Sequence, residues 1–351
     1  MIEALRDIYS RLGDALSRTI FIDRLDYSIT GENSRLEKMI DGAVRSRKEW
    51  KDFCGLLEDK ARQYDLYLFG AGIWGRTLHQ ETKERTGWKG VIDNQPAGKA
   101  VSSLPVFTLE QFMEQYDDRA VVVISSYKNG EEMSAQLTAA GVPASRIVDG
   151  GKVIYDLTEG AAYFDLEALG PPDPEEIFAD AGGFDGKTTE RFLHWCGGNG
   201  YSYCFEADRA NIDSIRKNLA GYGKCEIVPK ALWSETTVLS MNMKGSCGSS
   251  ITAETGDGDL QAVEAVALDD FYKDIPVTFL KMDIEGAELA AIRGARQIIS
   301  KRHPKLAISI YHKPEDIVTL PRQILEYYPG YRLYLRHYSF GWYDTVLYAV
   351  P

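Results

Sequence analysis

Apolar residues recur at helical spacing along the first sixty positions. Leu5, Ile8, Leu12 and Leu16 follow one another at intervals of three or four residues, which places them on one face of a helix. No motif associated with chemistry lies in this part of the chain. We therefore predict an N-terminal helical region over residues 1–60, whose apolar face packs on its own chain or pairs two subunits in a homodimer.

Beyond Tyr64 the pattern changes to short apolar runs that alternate with turns and helical stretches. The runs at 66–69, 90–93 and 120–124 are short and rich in β-branched or aromatic residues, as buried strands are. Strands that alternate with helices indicate a parallel sheet. The sequence thus predicts a small Rossmann-like α/β domain over residues 61–150.

A second and longer alternating series follows a connection that contains Pro171, Pro172 and Pro174. Its helical stretches separate five strands, and the tail adds two strand-like runs joined by a turn-rich piece. The five strands lie at 177–179, 203–205, 226–228, 277–282 and 306–310, and the two final runs at 331–336 and 345–350. We predict a second α/β domain over residues 151–351, whose sheet ends in an antiparallel hairpin.

The sharpest chemical pattern is the segment D-A-G-G-F-D-G, residues 180–186, between the first of these strands and a helix. Its glycines allow the backbone to come close to a ligand. Glu206 follows at the end of the next strand, where a carboxylate can accept both hydroxyls of a ribose. Taken alone, this arrangement would also suit a nicotinamide dinucleotide.

Charge distinguishes the two ligands. Asp180 and Asp185 lie within and beside the turn, where they would repel a pyrophosphate at the start of the helix. S-adenosylmethionine has no phosphate, and its ammonium and sulfonium groups are attracted to carboxylates. The turn therefore predicts S-adenosylmethionine as cofactor, and the alternative is an acidic loop that only caps a helix.

Several segments of the second domain together resemble the FkbM family of methyltransferases, from about Tyr163 to the end of the chain. The resemblance is carried by Asp180–Thr188, Phe205-Glu206, Gly248-Ser249-Ser250, Leu268-Asp269-Asp270 and the string K-M-D-I-E-G-A-E at 281–288. Two positions depart from the family pattern: Ala207 stands where proline is usual, and Gly183 where alanine is common. The resemblance implies a class I methyltransferase fold, S-adenosylmethionine as donor, and methyl transfer to a hydroxyl of a small molecule or sugar.

The resemblance also implies roles for individual residues. Asp180, Gly182, Gly183 and Gly186 would line the methionine part of the cofactor, and Glu206 would hold the ribose. Asp283 would lie at the mouth of the fourth strand, between donor and acceptor.

An acceptor alcohol must lose a proton, so a base is expected near the methyl group. The candidates are Asp283, Glu285 and His312, with Glu288 as a further carboxylate that could serve only to begin the next helix. His312 could equally be an ordinary loop histidine. The acids could instead hold a hard divalent cation, but spacing alone does not establish a metal site, and we predict none.

The front domain contains a glycine turn of its own. Gly70, Gly72 and Gly75 form a G-x-G-x-x-G pattern between a strand and a helix, and Asp93 ends the next strand. The turn contains no acid, so a phosphate could approach the helix start. The domain resembles the small Rossmann-like domains that precede FkbM-type or sugar-modifying domains, which implies a nucleotide-sugar or similar ligand. The alternative is that the glycines serve only close packing of helix and strand.

Composition excludes several classes of partner. Forty basic against 52 acidic residues give a net charge of −12, which would repel a nucleic-acid backbone. The sequence shows neither a bilayer-spanning apolar run nor a secretory signal, so we expect a cytoplasmic protein that does not bind membranes. The five cysteines include no C-x-x-C pair of the kind that suggests zinc.

These observations predict an S-adenosylmethionine-dependent methyltransferase that acts on a hydroxyl of a small-molecule, sugar or nucleotide-linked metabolite. Two alternatives stay open. One is a nicotinamide-dependent dehydrogenase or epimerase that uses the front glycine turn. The other is a non-enzymatic module that senses ligands.

Overall fold

The computed structural model describes residues 2–242, 250–251 and 260–351. The chain forms two compact units: Met1–Gly42 together with Tyr163–Pro351, and Ala43–Ala162. The division differs from the three predicted segments 1–60, 61–150 and 151–351. The physical reason is that the N-terminal helices have different packing partners, since the first three belong to the unit that contains the C-terminal half and the fourth belongs to the front unit.

The chain begins with three helices: α1 (Ile2–Arg11), α2 (Ala15–Thr30) and α3 (Asn33–Ile40). Helix α2 has a defined start, because the side chain of Asp14 accepts a hydrogen bond from the N–H of Ser17. It ends at Gly31, whose left-handed conformation closes the last turn. Ile20 and Phe21 on its inner face are buried.

The front unit is a five-stranded parallel sheet with helices, in the order β3-β2-β1-β4-β5. Its elements are α4 (Lys48–Ala61), β1 (Asp65–Phe69), α5 (Ile73–Thr86), β2 (Gly90–Ile92), β3 (Val106–Phe107), α6 (Leu109–Glu114), β4 (Ala120–Ile124), α7 (Gly130–Ala139), β5 (Ile147–Asp149) and α8 (Gly150–Leu157). The three predicted strands correspond to β1, β2 and β4. Strands β3 and β5, of two and three residues, were not predicted.

The other unit is built on a seven-stranded sheet in the order β15-β16-β14-β13-β6-β7-β8. The elements from residue 177 onward are β6 (Ile177–Ala181), α9 (Lys187–Trp195), β7 (Tyr201–Phe205), α10 (Arg209–Asn218), β8 (Cys225–Val228), β9 (Ala231–Leu232), β10 (Thr237–Asn242), β11 (Ser250–Ile251), β12 (Leu260–Val266), α11 (Leu268–Phe271), β13 (Phe279–Met282), α12 (Glu288–Arg293), α13 (Arg296–Arg302), β14 (Lys305–Ser309), α14 (Asp316–Tyr327), β15 (Arg332–His337) and β16 (Thr345–Val350). Strands β15 and β16 form the expected antiparallel hairpin, and the other five strands are parallel.

The strand order reverses between β6 and β13. From β6 the chain runs outward through β7 to β8, and it later returns to place β13 and β14 on the other side of β6. Such a reversal opens a crevice at the carboxyl ends of the two central strands, which is where open α/β sheets bind ligands. The register pairs Asp180 with Lys281 and Ala181 with Met282 at this point.

A second sheet, β11-β10-β12-β9, lies in sequence between β8 and β13 and was not predicted. Its longer strands alternate apolar and polar residues, so that one face packs a small core of Leu239, Met241, Val263 and Ala265. This alternation is a weaker signal than the continuous apolar runs of the parallel strands, so it did not lead to a prediction. Of the quoted segment Gly248-Ser249-Ser250, the first two residues lie outside the described residues.

The edge strand β15 is covered by the N-terminal segment of the chain. The N–H of Gly13 donates to the carbonyl of Leu333 at 2.8 Å, and the N–H of Leu335 donates to Ser17 Oγ at 2.9 Å. These contacts satisfy polar groups that an open sheet edge would leave unpaired. The apolar face of the N-terminal helices thus packs within its own chain, and the predicted homodimer stays a prediction.

Within the described residues, we find no helix that is both long enough and apolar enough to cross a bilayer.

The buried His337 predicts a dependence of stability on pH. Its Nδ1 lies 2.9 Å from Thr345 Oγ1, and burial together with the charge of Arg24 lowers its pKa from 6.5 to about 3. The unfolded chain therefore binds a proton at a pH where the folded chain does not. We expect stability to fall as pH drops below 6.5, by at most about 1.4 kcal/mol per pH unit from this residue.

The variant His337→Gln keeps a polar partner for Thr345 but cannot titrate. Urea unfolding at pH 7.5 and pH 5 should show a smaller loss of stability in this variant than in the wild type. The exposed His194 supplies the control variant His194→Gln. Equal losses in wild type and His337→Gln would contradict the assignment.

Candidate functional site

The glycine turn after β6 packs tightly against the segment that follows β13. The N–H groups of Gly182 and Gly183 both donate to the carbonyl of Phe205 at 3.0 Å. Gly182 has φ +82°, and a Cβ on it would lie 1.9 Å from the carbonyl oxygen of Asp283. Gly186 also has φ +82°, at the start of α9. Glycine is therefore required at Gly182 for space as well as for conformation.

A buried ion pair between Lys281 and Asp180 holds the backbone of this turn in place. Lys281 Nζ lies 3.1 Å from Asp180 Oδ1 and donates to the carbonyls of Ala181 and Gly182 at 3.1 and 2.8 Å. Thr189 Oγ1 donates to the other carboxylate oxygen of Asp180 at 2.8 Å. Burial lowers the pKa of Lys281, but the neighbouring carboxylates outweigh this and raise it. The lysine therefore stays charged and ties the end of β13 to the end of β6.

The surroundings of Asp180 differ from those expected. It was predicted to line the cofactor, but its side chain is fully buried and contacts Lys281 and Thr189. The pairing follows from the sheet register, which sets the two residues opposite each other. Lys281 was missed as a site residue, although a lysine inside an otherwise apolar strand is a signal in itself.

Glu206, which follows β7, binds the backbone of the glycine turn through its carboxylate. Its Oε2 accepts the N–H of Phe184 at 2.9 Å, and its Oε1 accepts the N–H of Asp208 at 2.8 Å. Burial raises the pKa of Glu206, and these hydrogen bonds partly oppose the rise. A carboxylate oxygen has two acceptor positions, so Glu206 can still accept a ribose hydroxyl. The remaining acceptor capacity of Glu206 thus suits the ribose of an adenosyl ligand.

Asp283, the first residue after β13, is held by two tyrosines. Tyr163 Oη donates to Oδ2 and Tyr311 Oη donates to Oδ1, each at 3.0 Å. Burial raises the pKa of Asp283, but the charges of Lys281 and His312 and these two hydrogen bonds lower it below its usual value. The carboxylate is therefore ionised and fixed in orientation. Both tyrosines were missed, since nothing in their local sequence links them to Asp283.

His312, just past β14, lies among three carboxylates. Its Nε2 is 3.5 Å from Asp283 Oδ1 and 3.7 Å from Glu285 Oε2, and its Nδ1 is 3.0 Å from Glu288 Oε1. Burial lowers the pKa of His312, but the carboxylates more than compensate and raise it to about 9. The structure thus brings the predicted catalytic residues together. Which of them accepts a proton stays a prediction.

Residues from the N-terminal helices and the C-terminal hairpin fix the loops around Asp283. Arg24 of α2 is buried, and its guanidinium donates to the backbone carbonyls of Tyr311 and Trp342. The ring of Trp342 packs against Tyr311 at a centroid distance of 6.1 Å, and the indole is half exposed. Sequence reasoning missed Arg24, because no motif links this residue to the region around Asp283.

The glycine turn of the front unit has a different character. A Cβ on Gly75 would lie 1.9 Å from the carbonyl oxygen of Gly70, so Gly75 is required for the packing of α5 on β1. Gly72 is exposed, with open space around it.

Asp93 is engaged within this turn. It accepts hydrogen bonds from the N–H of Ala71 at 2.8 Å and from Lys99 Nζ at 2.7 Å. Burial raises the pKa of Asp93, and these two contacts lower it more. A cavity of 790 Å³ beside α7 is lined by none of Gly70, Gly72, Gly75 and Asp93. The carboxylate thus serves the turn itself, and the nucleotide-binding role of these four residues stays a prediction.

The order of the seven strands, the terminal hairpin, the glycine turn after β6 and the acid after β7 define the class I methyltransferase fold. Residues 180–340 match the family model described as the methyltransferase FkbM domain. The match assigns residues 180–340 to a methyltransferase domain of the FkbM type, for which S-adenosylmethionine is the methyl donor.

Solved structures with a related fold include other methyltransferases. The methyltransferase FkbM of Methylobacillus flagellatus KT is 20% identical, with 95% of this chain and 99% of that chain covered and a TM-score of 0.49. Fibrillarin of Aeropyrum pernix, solved with natively bound S-adenosyl-L-methionine, is 12% identical over 55% of this chain and 73% of its own, with a TM-score of 0.35. An Aquifex aeolicus methyltransferase is 14% identical over 62% and 97%, with a TM-score of 0.34. No curated protein matches the chain.

The buried pair predicts a strong effect of removing one charge. Lys281→Met should leave Asp180 buried without a counter-charge and lower the free energy of unfolding by about 3–5 kcal/mol. The double variant Asp180→Asn with Lys281→Met should recover part of this loss. Urea unfolding of both variants measures the difference, and a double variant less stable than Lys281→Met would contradict the pairing.

From the contacts of Glu206 we predict that its replacement by glutamine lowers the affinity for the cofactor and changes the fold little. Glu206→Gln keeps an acceptor for one backbone N–H but loses the charge, and a hydrogen bond to a charged group contributes about 1.5–3 kcal/mol. We expect affinity for S-adenosylhomocysteine, measured by calorimetry, to fall at least about tenfold. The exposed Glu226 on β8 gives the matched control Glu226→Gln. Unchanged affinity in Glu206→Gln would remove Glu206 from the cofactor site.

Proposed function

We propose that this methyltransferase transfers a methyl group from S-adenosylmethionine to a hydroxyl of a small metabolite, carbohydrate or nucleotide-linked in nature. The observation that supports this most is the position of Asp283. Its backbone touches Gly182 of the glycine turn, and its carboxylate lies among Glu285, Glu288 and His312. Proton-accepting groups therefore lie next to the segment that fits the donor.

The donor, when bound, supplies a methyl carbon activated by the positive sulfur. The chain's part is to hold the acceptor oxygen in line with that carbon, and such alignment can supply much of the rate. Tyr163 and Tyr311 hold Asp283 in one orientation. We assign to Asp283 the hydrogen bond from the acceptor hydroxyl and the acceptance of its proton. Glu285 and His312 are the neighbouring candidates for the same task.

Aromatic rings near the carboxylates support a compact organic acceptor. Trp342 and Tyr343 are 50% and 39% exposed, and Trp342 packs on Tyr311, which contacts Asp283. Sites for small molecules combine such apolar and aromatic surface with a few converging polar groups. A sugar suits such a site, because its ring can pack on the aromatic side chains and its hydroxyls can bind the polar groups. The excess of acidic residues in the chain argues against nucleic acid as the acceptor.

A test of this proposal needs an acceptor screen. The purified chain should be incubated with S-adenosylmethionine and panels of sugars, nucleotide sugars and small alcohols, with S-adenosylhomocysteine release as the signal. Mass spectrometry should show one added methyl group, and a product whose new methyl resists mild base but sits on oxygen by NMR would support O-methylation. A methylated nitrogen or carbon would overturn it.

With an acceptor in hand, Asp283→Asn tests the assigned role. We expect kcat to fall by about a hundredfold or more, with affinity for S-adenosylmethionine changed much less. Asp213→Asn, on the exposed face of α10, is the matched control. Full turnover by Asp283→Asn would exclude Asp283 as the proton acceptor.

A further inference from the structure

Three side chains, from the loop after β13, the start of α12 and the loop after β14, form a compact cluster of metal-ligating atoms. One oxygen of Asp283, one oxygen of Glu288 and one ring nitrogen of His312 lie within 4.8 Å of one another. Ligands bound at about 2.1 Å from a single ion lie about 3 to 4.2 Å apart. The cluster is therefore close to the size of a metal coordination sphere, and small side-chain movements would complete it.

Two of the three groups are buried with unsatisfied polar atoms. Glu288 is 1% exposed, and its Oε2 has no hydrogen-bond partner among the described residues. The side chain of His312 is 8% exposed, and neither ring nitrogen forms a hydrogen bond of adequate geometry within the described part of the chain. A buried polar atom without a partner costs about 1–3 kcal/mol. Such atoms, in side chains that lie within 4.8 Å of one another, indicate that a further atom could bind between them.

The charge around this space favours a cation. Three carboxylates, those of Asp283, Glu285 and Glu288, converge on the single imidazole at 3.0 to 3.7 Å. The contact of Nδ1 with Glu288 has the length of a hydrogen bond, whereas the two contacts of Nε2, with Asp283 and Glu285, are longer than a hydrogen bond. The side chains of Asp283 and Glu285 are 23% and 34% exposed, so an ion could enter from solvent on that side.

We propose that Asp283, Glu288 and His312 bind a divalent cation of the Mn²⁺ type. Carboxylate oxygens suit Mg²⁺ and Mn²⁺, whereas an imidazole nitrogen suits transition metals, so the mixed set selects Mn²⁺ over Mg²⁺. The partly exposed side of the cluster leaves coordination positions open to water or to an alcohol. The proposal departs from our sequence-based prediction of no metal site.

The role of the ion rests on the proposed function, whereas its binding does not. An alcohol oxygen that coordinates the ion beside Asp283 becomes more acidic and is held at a fixed place. Two adjacent hydroxyls of a sugar could bind the same ion together. The cation would thus select acceptors with neighbouring hydroxyls.

The experiment uses the full chain, freed of metal with a chelator and titrated calorimetrically with MnCl₂, with MgCl₂ and ZnCl₂ for comparison. We expect one Mn²⁺ site per chain, and affinity lower by at least tenfold in Glu288→Gln and in His312→Gln. Glu288→Gln keeps the carbonyl-type acceptor for the N–H of Ile284, which Glu288 accepts at 2.9 Å. His194→Gln, which removes an exposed imidazole beside Tyr222, is the control that should bind Mn²⁺ like the wild type.

The outcomes separate the metal site from the methyl transfer. Absence of Mn²⁺ binding by the wild type at millimolar concentration overturns the site, whatever the variants do. Binding that persists in both variants, with both still able to bind S-adenosylhomocysteine, also overturns it. Mn²⁺ binding lost in the variants supports the site even if no acceptor is ever methylated. Methyl transfer that proceeds equally with and without the chelator would leave the proposed function intact and remove the ion from it.

Discussion

The contact between Lys281 and Asp180 joins the two strands at which the sheet reverses direction. One buried ammonium neutralises a carboxylate on β6 and, at the same time, holds the carbonyls of Ala181 and Gly182. Two charges buried together are stable only when both are paired and hydrogen-bonded. This pair therefore determines the conformation of the glycine turn and its contact with Asp283. The distance between the glycine turn and the carboxylate cluster depends on the pair as well.

Around Asp283 the chain brings together groups from distant parts of its sequence. Tyr163 precedes the first strand of the large sheet, Tyr311 and His312 follow β14, and Arg24 comes from the second helix of the chain. The two tyrosines and His312 contact the carboxylate itself, whereas Arg24 binds the backbone of Tyr311, and none of the four is adjacent to Asp283 in the chain. A carboxylate held from several sides has little freedom to reorient, which favours a fixed geometry toward a substrate or an ion.

The parallel strands, the terminal hairpin and the glycine turn could be predicted, because each leaves a local signal of apolar runs, turn residues and spacing. The acidic residues of the site could be predicted as well, from the resemblance of residues 281–288 to the FkbM family. The role of Asp180 could not be predicted, because it depends on the register that sets Lys281 opposite it. Arg24 and the two tyrosines are joined to the site only by tertiary packing. The short strands β9 to β12 show a weaker alternation than the buried strands beside them.

The unit that carries the methyltransferase site is assembled from both ends of the chain, with residues 43–162 placed between them. The start of helix α2 contacts the C-terminal hairpin, since Asp14 and Ser17 bind Arg336 and Leu335. Domains tend to fold as they leave the ribosome. The interrupting unit can therefore fold early, while α1 and α2 must wait, with an apolar face unburied, until strands β15 and β16 have been synthesised.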